Sequence, residues 1–200
     1  LGATSWLVSG NHDLRVSDDA LARGIERAEG PLQIPTLPGD PVKDDFIVAG
    51  LTFAGLTDAE VRLTRRPDPA AWGERAVLLL SHYPIISRKS ESLTAGWKYA
   101  GDPKGLGGLA DELAARQAPT ISFHGHLHLG DAVAHGSYLQ LGFPALAESG
   151  HHAAIVDIVQ NDGALDATIT PVLTSSDERA PARIGSPSQC WRFADGEWRT

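Results

Sequence analysis

Apolar residues along this chain come in short runs separated by loops rich in Gly and Pro, and the period changes from run to run. Thr4-Ser5-Trp6-Leu7-Val8-Ser9 reads as a buried strand that stops at Gly10. Ser17 with Asp18 and Asp19 marks a helix start, and Leu21, Ile25 and Ala28 share one helical face until Gly30. Pro31, Pro35, Pro38 and Gly39 make a connector. Phe46–Val48 and Leu51–Ala54, on either side of Ala49-Gly50, predict a tight hairpin. Ala76–Leu80 is continuously apolar, the pattern of a strand covered on both faces, and it ends in Ser81-His82-Tyr83-Pro84. A long loop is expected over Ile85–Gly105. Leu106, Leu109, Ala110 and Leu113 then give an amphipathic helix. Thr120–Phe123 predicts a strand running into His124-Gly125-His126-Leu127-His128. Tyr138–Leu141, Ala153–Val159 and Ala164–Val172 read as later strands. The Asn161-Asp162-Gly163 turn makes the last two an antiparallel pair.

Strand, histidine-bearing loop and helix recur along this order, and open α/β sheets bind ligands beyond the carboxyl ends of their strands. Helices alternating with strands, followed by a run of strands, point to an α/β sandwich. Residues 1–174 read as a domain portion and 175–200 as a tail that Trp191, Phe193 and Trp198 could dock.

Composition narrows the function. Of 200 residues, 42% are apolar and 21% charged, which suits one globular unit. No run approaches the roughly 20 apolar residues of a membrane span, and no basic leader precedes the first strand. The expectation is a soluble, cytoplasmic chain with no membrane partner. Cys190 is the single cysteine, which excludes an internal disulfide and a cysteine-built metal site. The net charge of −8 repels polyanions, so a nucleic-acid partner is not indicated. A phosphate group would have to be held by local positive charge, which a metal ion supplies best.

Three segments carry candidate chemistry: Gly10-Asn11-His12-Asp13, Ser81-His82 and Gly125-His126-Leu127-His128. Singly, each has an ordinary explanation, since Gly-Asn is a common turn, Asp13 can cap a helix, and a strand-end histidine can simply be hydrogen-bonded. Together they offer imidazole nitrogens and an amide oxygen, a donor set suited to Zn²⁺, Mn²⁺ or Fe. In an extended segment, His126 and His128 would point the same way, toward one metal or two neighbouring ones.

In order and spacing, Gly-Asn-His-Asp, a strand-end His and Gly-His-x-His resemble the last three of five motifs of the calcineurin-like metallophosphoesterases, over Gly10 to His128. The resemblance implies a sandwich of two mixed β-sheets flanked by helices, and hydrolysis of phosphomonoesters or phosphodiesters. It implies that Asn11, His82 and His126 bind one metal and His128 the other, with His12 as proton donor and Asp13 orienting it. The family's first two motifs, Asp-x-His and Gly-Asp, are not found ahead of these. Gly39-Asp40, Gly101-Asp102 and Gly130-Asp131 all come later, where turn chemistry accounts for them. With no methionine anywhere, the chain is expected to be an N-terminally truncated piece of a longer product. It is then expected to hold half of a site for two divalent ions (Mn, Fe or Zn), to bind at most one ion weakly, and to be inactive alone.

Among the other histidines, His124 is either a support for the motif or a packed strand residue, His135 a turn residue, and His151-His152 surface or loop residues. Arg88, Lys89, Trp97, Lys98 and Tyr99 are the candidates for substrate contact in the loop after His82. Two other readings compete: a non-catalytic scaffold that keeps the fold, and a mononuclear structural site built from His82, His126 and His128.

Overall fold

The computed structural model describes residues 5–6, 32–33, 37–42, 46–55, 57, 59–94, 96, 102–128, 130–143, 152–161, 163–173 and 189–200. In chain order the strands are β1 (Ser5–Trp6), β2 (Leu32–Gln33), β3 (Asp40–Pro41), β4 (Ile47–Gly50), β5 (Phe53–Ala54), β6 (Arg62–Leu63) and β7 (Val77–Leu80). They continue with β8 (Thr120–His124), β9 (Asp131–His135), β10 (Tyr138–Gly142), β11 (His152–Asn161), β12 (Ala164–Leu173), β13 (Gln189–Ala194) and β14 (Glu197–Arg199). The described α-helices are short, Lys89–Thr94 and Leu109–Ala114. The fold is mixed α/β, with few helices and several sheets.

A six-stranded sheet in the order β3-β4-β7-β8-β10-β9 forms the centre. β4, β7, β8 and β10 run parallel, and β3 and β9 are antiparallel at the two edges. Alternation along each strand sorts side chains onto two faces. Ile47, Ala49, Val77, Leu79 and Tyr138 face one core, which Leu109 and Leu113 of the second helix close. Leu78, Ile121, Phe123, Leu139 and Leu141 face a second core, shared with Leu165, Ala167, Phe193 and Trp198. These last four belong to the antiparallel sheet β11-β12-β13-β14, so the two sheets bury their apolar faces against each other.

Several expectations change. The hairpin expected around Ala49-Gly50 does not form. Ile47 to Gly50 are all buried in one strand, β4, paired in parallel with β7, and Phe53 pairs instead with Leu63. A short apolar run ending in glycine cannot distinguish a hairpin arm from a strand buried on both faces. The loop expected over 85–105 contains the Lys89–Thr94 helix, which is too short to show an apolar period. His135 ends β9, a strand not anticipated, and its Nε2 lies 3.0 Å from Asp111 Oδ1.

The expected antiparallel pairing of the last two predicted strands is met. β11 and β12 pair antiparallel in register from His152↔Leu173 to Asn161↔Ala164. Within the expected tail, β13 and β14 form a hairpin on the second sheet, with Phe193 and Trp198 buried. The helix expected over residues 17–30 lies outside the described residues. No described helix is long and apolar enough to cross a membrane.

Candidate functional site

β7 and β8 are parallel neighbours, so the segments after Leu80 and after His124 leave the sheet at the same edge. The ladder continues past both strands: Ser81 N–H donates to the Phe123 carbonyl at 2.9 Å, and Gly125 N–H donates to the His82 carbonyl at 3.2 Å. This pairing brings the imidazoles of His82 and His126 together, with ring centres 5.2 Å apart and planes at 67°. The buried Tyr83 ring completes the group, 4.9 Å from His82 and 4.3 Å from His126.

The turn bearing the two motif histidines is not extended. His126 has φ 58° and His128 φ 54°, both left-handed, and Leu127 N–H closes on the Gly125 carbonyl at 2.6 Å. The same-face expectation for a strand therefore does not apply to this pair. Left-handed backbone is unfavourable for a residue with a Cβ, and such conformations concentrate at functional sites.

The segment after β7 is pinned by Gln140. Its buried Oε1 accepts from the backbone N–H groups of Ile85 and Ile86, each at 2.8 Å, and from the Tyr138 hydroxyl at 3.2 Å. Its Nε2 donates to the Ile86 carbonyl at 3.1 Å. The Tyr138 phenol is also 2.6 Å from Ser122 Oγ, and full burial pushes its pKa up despite that bond. Ser81 Oγ donates to the Tyr83 carbonyl at 2.6 Å, fixing the chain on both sides of His82.

Set beside protein-family models, curated proteins and solved structures, the chain matches none of them. The reading of the site therefore rests on its own residues. Asn11, His12 and Asp13 lie outside the described residues, as do Trp97, Lys98 and Tyr99. His128 is partly buried, two residues beyond His126 in the same turn. Among the described residues, no group of three or more His, Cys, Asp or Glu side chains converges closely enough to hold a metal ion.

Arg88 does not reach outward as a substrate contact would. Its side chain is only 13% exposed, with Nε 2.5 Å from Asp131 Oδ2 and Nη1 3.1 Å from Glu91 Oε1. His124 ends β8 with its side chain buried, Nδ1 3.1 Å from the Gly125 carbonyl and Nε2 3.9 Å from Asp131 Oδ1. Burial holds its pKa below the ordinary histidine value, opposed by the Gly125 carbonyl and the Asp131 charge and reinforced by Arg88. Beside Gly130, Asp131 reads from sequence as a turn residue. It instead begins β9, whose Asp131–His135 sequence holds a single β-branched residue and so carries only a weak strand signal.

Proposed function

We propose that this chain contributes to a metal-dependent phosphoesterase of the calcineurin-like type. The observation that carries the reading is the pairing of His82 and His126 at the ends of adjacent parallel strands. Two imidazoles on one tetrahedral ion, with each nitrogen about 2.0–2.1 Å from it, stand with ring centres roughly 5 Å apart, and these stand at 5.2 Å. The donor chemistry fits a borderline metal such as Zn²⁺, Mn²⁺ or Fe. Two sheets packed face to face are compatible with the sandwich that the motif resemblance implies.

His82 and His126, with Asn11, would hold one ion, and His128 would contribute to the second. When bound, such a pair supplies an activated hydroxide at neutral pH and neutralises charge on the phosphoryl oxygens. The chain's own part is positional. Gln140 and Ser81 fix the backbone around His82, the Gly125 amide fixes the turn bearing His126, and Tyr83 packs on His126. His12 would protonate the departing oxygen of the ester, oriented by Asp13.

The test compares the hydrolysis of two esters by the protein and its variants. A positioned general acid contributes about 10²–10⁴-fold, and it matters most when the leaving group is a basic alkoxide. His12→Ala should slow an alkyl phosphate ester within that range while largely sparing the nitrophenyl ester, whose leaving group needs no proton. Asp13→Asn should show a milder form of the same bias. His82→Ala should slow both esters alike, because metal ligation serves any leaving group. The quantity compared is the ratio of kcat/KM for the two esters. Equal losses on both for His12→Ala would remove the general-acid role, and undiminished hydrolysis by His82→Ala would remove the metal reading.

A further inference from the structure

Outside the histidine pair, the most unusual polar group is the one formed by Arg88, Asp131 and His124. In register, Gly142 of β10 lies between His124 of β8 and Asp131 of β9. Directly paired residues present their side chains on the same face of a sheet, and glycine has none to stand between its neighbours. His124 and Asp131 therefore face each other across β10. His124 Nε2 and Asp131 Oδ1, 3.9 Å apart, are both buried without a hydrogen-bond partner among the described residues. The other oxygen of Asp131 takes Arg88, six residues beyond His82 in the pinned segment.

We propose that Arg88 and Asp131, with His124 beneath them, form a positioning strap that holds the His82 segment against the turn carrying His126 and His128. One end of the strap is on the segment that starts at His82. The other is the residue immediately before Gly125, whose amide bonds the His82 carbonyl. The ion pair is 13% and 18% exposed at its two side chains, so solvent screens it less than a surface pair, and its geometry is held more tightly. The strap touches neither substrate nor the reacting atoms. It sets the separation of two imidazoles, and so its effect appears in metal affinity. This inference rests on the phosphoesterase reading only for its metal readout.

The experiment titrates the full chain with Co²⁺ alone, followed by visible absorption, and in parallel records the ring resonances of His82 and His126 by NMR without metal. Outer-shell partners of metal ligands typically carry about 10–100-fold in affinity. Asp131→Asn and Arg88→Gln should each weaken Co²⁺ binding by about tenfold or more, and the double variant should be no weaker than the worse single one. Both should also shift the His82 and His126 resonances. Either substitution could unfold the chain, so Arg88→Lys, which keeps the charge without the planar fork, is measured as well. An intermediate loss of affinity at an unchanged unfolding midpoint supports the strap. Wild-type affinity and unshifted resonances in the folded variants overturn it, leaving a merely structural ion pair. If the wild type binds no Co²⁺ while Asp131→Asn still shifts both resonances, the strap stands and the metal reading falls.

Discussion

Gln140 shows how one buried amide can govern the geometry of a site it does not enter. Its buried side chain satisfies two consecutive backbone amides, that of Ile85 in a buried setting and that of Ile86 in a partly buried one. Gln140→Leu keeps a similar volume but orphans both donors. A buried polar group left unmade costs about 1–3 kcal/mol, so each amide should contribute a loss of that size to the unfolding free energy measured in urea. Hydrogen exchange at Ile85 and Ile86 should accelerate in the same variant, and unchanged exchange there would mean that Gln140 does not pin the segment. The candidate ligands His82, His126 and His128 are legible from sequence because histidines at strand ends form a spaced pattern. Gln140 and Asp131 are not, because a single Gln in an apolar strand and a single Asp after glycine acquire meaning only once β8, β9 and β10 lie side by side.

At the level of elements, strands with unbroken apolar runs or strong alternation are predictable: β7, β8 and the β11–β12 hairpin follow from local pattern alone. β4 resembles half of a hairpin in sequence because its pairing partner, β7, is distant along the chain, and pairing is what separates a buried parallel strand from a hairpin arm. β9 is weakly apolar, and it takes its place by pairing with β10. The β13–β14 hairpin depends on Trp198, whose indole N–H donates to the Ser137 carbonyl at 3.0 Å and whose ring lies 5.5 Å from Phe193. Trp198→Ala should cost about 3–5 kcal/mol, the usual loss for a large buried aromatic. Trp198→Phe should cost less, retaining most of the packing and losing chiefly the hydrogen bond. Urea midpoints rank the two variants, and a Trp198→Ala midpoint equal to the wild type would show the hairpin to be undocked.

Over the whole molecule, two cores on opposite faces of one sheet make the carboxyl edge of β7 and β8 a rigid platform for the histidines. That edge exists only because Val77 is brought beside Thr120, two positions far apart in the chain. The β11–β12 ladder, by contrast, joins strands whose paired ends, Asn161 and Ala164, are close in sequence. Contacts distant in sequence must spend loop-closure entropy before they gain anything, whereas local hairpins close within microseconds. The order of assembly should follow. In pulse-labelled refolding, amides of β11 and β12 should gain protection before those of Ser81 and Gly125, which report the joining of the two histidine segments. Protection at Gly125 preceding the hairpin would reverse that order. The paired histidines are then among the last things to be assembled, and a nascent or partly unfolded molecule carries its imidazoles as separate groups.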